Sequence, residues 1–196
     1  PSSARPGENF YRYVSRAWIG AFKAGLRAES RLRMGRNRNV LRHPYTLYLG
    51  VAALMLVGSA LIFGARGVAA LGFIVGYAQL QILMSDYVQH YGLRRAIRAD
   101  GQPEPVGPQH SWNAPHWGSS AMTLNAPRHS DHHVTPARTY PALQLKSATM
   151  PMLPHSLPVM AVLALVPPLW RRIMDPLAAQ WRDQNSSGET ARDLAI

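Results

Sequence analysis

Two uncharged apolar runs lie almost end to end in this chain, and they restrict its fold more than any other feature. Residues 45–64 (YTLYLGVAALMLVGSALIFG) and 67–85 (GVAALGFIVGYAQLQILMS) contain no Asp, Glu, Lys or Arg, and only Ala65, Arg66 and Gly67 mark the boundary. A run of about 20 residues rising roughly 1.5 Å per residue matches a hydrocarbon core of about 30 Å. Soluble helices of this length carry a charged stripe on their outer face, and neither run has one. The pattern predicts an all-α integral membrane protein with a two-span helical hairpin over 45–86 and Arg66 at the outer interface.

The formal charge of +11 is placed unevenly. Arg12, Arg16, Lys23, Arg27, Arg31, Arg33, Arg36, Arg38 and Arg42 precede the first run, and Arg94, Arg95 and Arg98 follow the second. The positive-inside rule then puts both ends of the hairpin in the cytoplasm. Basic residues that flank apolar spans without a nucleic-acid motif argue for lipid headgroups or an acidic protein partner, not nucleic acid. The chain has no cysteine, so any metal must be held by imidazole or oxygen. Its opening, PSSARPGENF, reads as a loop already under way, which predicts a missing beginning.

Five segments follow from the pattern. Residues 1–44 form a basic segment for the cytoplasmic face, with an amphipathic helix over 10–34 carrying Phe10, Tyr13, Val14, Trp18, Phe22 and Leu26 at three- and four-residue steps. The hairpin occupies 45–86. In 87–150, the second helix continues past the headgroups until DGQPEPVGP breaks it, and Pro115 and Pro127 each look like a helix start, with Thr135 and Pro136 closing the second helix. Within 151–182, the apolar stretch 159–170 is too short to span and predicts a re-entrant or interfacial piece, and Asp175–Pro176 predicts a fresh turn. Residues 183–196 are polar and predict a disordered tail.

Histidines carry the chemistry. In PRHSDHH, His129, His132 and His133 stand at i, i+3 and i+4, so a helix would present all three on one side. Neutral imidazoles without thiolates suit iron, zinc, copper or nickel; the ordinary alternative is a set of solvated surface histidines. His90 lies at the end of the second apolar helix, and Asp86, one turn earlier, is spaced to accept the second N–H of a metal-bound His90. Asp131 could do the same for a histidine from another helix. His43 reads as an interface residue, His110 and His116 as hydrogen-bonding groups near the site, and His155 as a loop residue.

The stretches ENFYRY, DYVQHYGL, HSWN, RHSDHHVTPARTYPAL and PPLWRRIMDP, in this order, resemble the membrane-bound alkane 1-monooxygenases over about residues 2–181. HxxHH alone is less specific, since membrane fatty-acid desaturases carry it too. The resemblance implies a C-terminal part of such an enzyme, in a bacterial inner membrane. It implies two non-haem iron ions that use O2 to hydroxylate the terminal methyl of an alkane, with electrons from rubredoxin and its reductase. Carried over by position, His90, His129, His132 and His133 match metal ligands; Asp86 and Asp131 are expected as supporting carboxylates from their spacing, not from the family pattern. Asp86 stands where the family usually has Asn, Gln89 where it has Glu, and Ala126–Pro127 where it has Leu-Gln. Two earlier histidine motifs have no counterpart, so the chain alone is expected to be inactive. Alternatives are a hydroxylase of aromatic methyl groups in the same fold, a non-catalytic zinc-binding membrane protein, and a truncated relic.

Overall fold

The computed structural model describes residues 3–33 and 43–193. Its regular elements are helices: α1 (Phe10–Arg33), α2 (Pro44–His90), α3 (Trp117–Met122), α4 (His129–Val134), α5 (Leu157–Ala164) and α6 (Pro167–Asp193), with 3₁₀ turns at Pro108–His110 and Tyr140–Ala142. Among the described residues there is no strand, only the isolated bridges Ile97–Pro103 and Asn113–Met152. Met34, Arg36, Arg38 and Arg42, which the sequence places in the basic segment, lie outside the described residues. The chain divides into two compact units, one containing Ser15–Leu83 and the other Ser3–Val14 with Met84–Ile196.

The first unit contains most of α2. This is the one helix among the described residues long and apolar enough to cross a membrane, and none of its most apolar window is buried within the chain. Leu61, Ile62 and Phe73 are at least 74% exposed, whereas a soluble core helix would hide them. The helix is not straight. Gly64 adopts φ 62° and ψ −155°, a conformation that only glycine takes readily. A Cβ on Gly67 would meet Phe63 Cβ and come 2.9 Å from the Ser59 carbonyl oxygen. Eight residues of straight helix would separate 59 from 67 by about 12 Å, so the chain turns back at Gly64. The break therefore falls on one residue, and Ala65, Arg66 and Gly67 are helical instead of forming the turn. At its start, the His43 ring accepts the Tyr45 N–H at 3.2 Å, a local capping role.

The second unit is built around an aromatic cluster. Tyr13, Tyr87, Tyr91, Trp170, Met160 and Met174 are fully buried, and the Trp170 ring lies tilted at 5.3 Å from Tyr87 and edge-on at 5.2 Å from Tyr91. Each buried phenol donates its proton. Tyr87 bonds the Glu8 carbonyl at 2.6 Å, Tyr91 bonds Asp175 Oδ1 at 2.5 Å, and Tyr13 bonds Asp86 Oδ2, as aromatic residues with a polar tip require when desolvated.

The stretch 159–170 is divided between α5 and α6; it supplies core residues Met160, Ala164 and Trp170 from one face and leaves Val159, Val162 and Val166 exposed on the other. Pro176 does not start a turn but lies inside α6, which runs on to Asp193 where a disordered tail was expected from 183. A helix already nucleated and packed through Trp170, Met174 and Ala178 propagates at little cost. Polar composition predicts lack of burial, not lack of backbone hydrogen bonds.

Candidate metal centre

The site lies within the second unit and is assembled where α2 ends. Helix ends leave carbonyls without partners; here the Trp112 backbone N–H donates to Gln89 O at 2.7 Å and its indole N–H to Tyr91 O at 2.8 Å. Gly92, at φ 72°, then takes the left-handed turn that stops the helix, and its N–H donates to Ala4 O at 3.0 Å. His90 is thereby held at a fixed exit.

The segment after α2 forms the floor. Asn113, fully buried, donates from Nδ2 to Ser111 O at 2.8 Å, Ser130 Oγ at 2.7 Å and Pro151 O at 3.2 Å, and its Oδ1 accepts the Ser130 N–H at 2.9 Å. That last bond satisfies a first-turn amide of α4, whose N-cap, Arg128, makes no side-chain capping bond. Gln89, also buried, donates to Ala126 O at 3.0 Å and accepts from Ser85 at 2.8 Å, tying α2 to the approach of α4. Helix α4 starts at His129, two residues beyond Pro127, and α3 starts at Trp117, two beyond Pro115. Asn113 and Gln89 are the structural residues that spacing alone did not single out.

With α2 and α4 pinned in this way, three imidazoles meet. His129 Nε2 lies 3.1 Å from His90 Nε2 and 2.9 Å from His133 Nε2, and the ligand atoms of the three lie within 4.8 Å of one another. Ligands about 2.1 Å from a metal stand about 3.0 to 3.4 Å apart for cis-octahedral to tetrahedral angles, so the donor set fits a transition metal. The His90 Nδ1–H donates to the His110 carbonyl at 3.2 Å, which leaves Nε2 with a free lone pair aimed at the other two rings. Burial, followed by the neighbouring rings of His90, His133 and His132, drives the His129 pKa down to about 2. Burial and the His90 and His132 rings push His133 down as well, with Asp86 opposing. Both are neutral at pH 7, the state a metal needs.

His132 stands apart from this group. Its ring centroid lies 6.2 Å from His129 and 5.8 Å from His133, and like His133 it is exposed. On a helix that turns about 100° per residue, positions 129 and 133 are nearly aligned and 132 is about 100° round from 133. The carboxylates also differ from expectation. The second N–H of His90 goes to a backbone carbonyl, and Asp86 Oδ1 instead lies 3.6 Å from Nε2, on the metal-facing side. Asp131 accepts two bonds from Arg138 Nη1, each 2.7 Å, and one from Gln144 N–H at 2.9 Å; these contacts fix the stretch of chain after α4. His116 caps α3 through its backbone, and His155 is exposed.

Helix ends that gather neutral imidazoles on one point, in a chain with a lipid-compatible helix, define a helical, membrane-associated metal-site protein. The chain belongs to the fatty acid desaturase family, whose model matches residues 1–164. It is 32% identical over 193 residues to an alkane 1-monooxygenase of Pseudomonas putida, covering 95% of this chain and 47% of that protein. It is 36% identical over 181 residues to alkane 1-monooxygenase 2 of Pseudomonas aeruginosa, covering 89% and 47%. The hydroxylase component XylM of a Pseudomonas putida xylene/toluene monooxygenase is 31% identical over 209 residues, covering 97% and 50%. The chain therefore spans about half the length of the curated relatives it matches.

Proposed function

We propose that this chain is the C-terminal part of a membrane monooxygenase that hydroxylates the terminal methyl of alkanes. The observation that carries the reading is the convergence of the His90, His129 and His133 Nε2 atoms, with the other nitrogen of His90 already committed to a carbonyl. These three residues would hold one iron. His132, on the same short helix but outside this group, would be available to a second iron whose remaining ligands would have to come from histidine motifs that this chain does not contain. Iron held there would supply the activation of O2 for a monooxygenation in which one oxygen atom enters the substrate and the other leaves as water, with two electrons and two protons consumed. The chain's own residues orient the rings, keep them neutral and, through Asp86, place negative charge beside a cationic site.

The kinship with alkane 1-monooxygenases supports a hydrocarbon substrate, and the arginine-rich flanks suit an acidic electron donor of the rubredoxin type. Residues 45–86 cross the bacterial inner membrane as a hairpin, supported by the exposed apolar side chains of α2 and its reversal at Gly64. The metal ligands then lie on the cytoplasmic side, the side favoured by flanking positive charge. The match to the XylM component favours one second reading, oxidation of aromatic methyl groups.

Membranes carrying the uninterrupted coding region, supplied with octane and p-xylene, test these readings together with metal analysis. Two irons per polypeptide and 1-octanol as product are expected. Preferential oxidation of p-xylene would replace the alkane reading with the aromatic one, and a single zinc without oxidation of either substrate would overturn both.

A further inference from the structure

We propose that Glu104 is a positioning residue for the metal centre, acting on His90 through His110. This rests on the reading of His90 as a ligand. The His90 ring keeps its Nε2 free because its Nδ1–H is tied to the His110 carbonyl, so the site depends on what holds that carbonyl still. His110 closes the 3₁₀ turn Pro108–His110 and is 8% exposed. Both of its ring nitrogens are engaged. The Gly107 backbone N–H, which can only donate, is bonded to Nδ1 at 2.8 Å. The ring proton must then sit on Nε2, from which it is donated to Glu104 Oε1 at 2.8 Å.

Glu104 is itself braced. The same Oε1 accepts the Ala96 N–H at 2.9 Å, the Glu104 N–H donates to Ala96 O at 2.9 Å, and its carbonyl accepts from Arg95 Nη1 at 3.0 Å. A carboxylate in the proline- and glycine-rich stretch DGQPEPVGP would ordinarily be solvated, yet this side chain is only 18% exposed. It lines a cavity of about 600 Å3 together with His110, Arg94, Arg95 and Trp181, and from that wall it fixes the turn whose other face touches His90. The loop that breaks the chain after α2 thus doubles as the brace of a ligand. Outer partners of metal-bound histidines are worth about 10- to 100-fold in metal affinity, and Glu104 acts one step further out.

The test uses the 196-residue chain in lipid nanodiscs titrated with Co2+, read by the visible d–d band, with 15N spectra of the metal-free histidines reporting the His90 tautomer. Glu104→Ala should weaken Co2+ binding about tenfold, shift the d–d band and populate the Nε2–H form of His90. Glu104→Gln keeps an acceptor oxygen and should stay within about threefold of the parent; helical content by circular dichroism should match in all three chains. Parent-like affinity and tautomer in Glu104→Ala would overturn the proposal, as would a Gln variant as impaired as the Ala variant. His90→Ala separates the two readings. If it binds Co2+ like the parent, the site itself is wrong; if it loses binding while Glu104→Ala does not, only the positioning role falls.

Discussion

Asn113 uses both ends of its side-chain amide to join three separate stretches of chain, 111–113, 130 and 151. Asn113→Ala would leave the Ser130 amide and the Pro151 carbonyl buried with reduced bonding, and the expected loss is about 2–3 kcal/mol, seen as a lower unfolding midpoint in detergent together with weaker Co2+ binding. The histidines should separate by role. His129→Ala is expected to weaken Co2+ binding by at least about 100-fold, because its Nε2 faces both other rings, whereas His132→Ala should change the affinity of this chain by less than about threefold. Equal losses in a side-by-side titration would refute the division. The low pKa of His129 also sets a pH dependence. Unfolded, the ring protonates near 6.5; folded, it resists protonation down to about 2. Between these values the unfolded state binds more protons, so stability rises with pH and is lost as pH falls below about 6.5. The metal-free chain should melt lower at pH 5.0 than at pH 7.5, and His129→Gln should narrow that gap.

At the scale of elements, what could be read from sequence followed the reach of local physics. Charge-free runs of about 20 residues and a three-histidine helical spacing are properties of neighbouring positions, and they pointed to α2 and α4. The partners of Asn113, Gln89 and Asp86 are not local. Gln89 finds a carbonyl 37 residues away and Tyr13 finds Asp86 73 residues away, and no periodicity encodes such pairs. Asp86 shows the same limit: helical spacing places it on the His90 side of α2 but does not say which ring nitrogen it faces. Pro176 misled because an interior proline costs a helix about 3 kcal/mol, a penalty offset by burying Trp170, Met174 and Ala178 on the same helix. Gly92 is the element-scale position most exposed to mutation. It combines φ 72° with a site where an added Cβ would come 2.7 Å from Ala178 Cβ. Gly92→Ala should therefore both strain the end of α2 and push α6 away, lowering the unfolding midpoint more than Gly101→Ala, where φ is 74° but nothing lies within 4 Å. Equal shifts would show that packing against α6 contributes nothing.

At the scale of the whole molecule, the absence of cysteine makes topology directly measurable. Single replacements Arg66→Cys and Arg94→Cys, probed in intact spheroplasts with a membrane-impermeant thiol reagent, should label at 66 and not at 94 until the cells are opened. Labelling at both positions before lysis, or at neither after it, would contradict a hairpin with its ends inside. The interleaving of the chain has a temporal side too. Ser3–Val14 belongs to the same compact unit as everything from Met84 onward, so Tyr13 is synthesised 73 residues before Asp86, the group its phenol bonds. At about 5–20 residues per second, it waits roughly 4–15 seconds on the ribosome, through delivery of the whole greasy stretch between them. During that interval the nascent segment is an amphipath without its partner, and removing residues 3–14 would take from Asp86 the phenol that holds it beside His90.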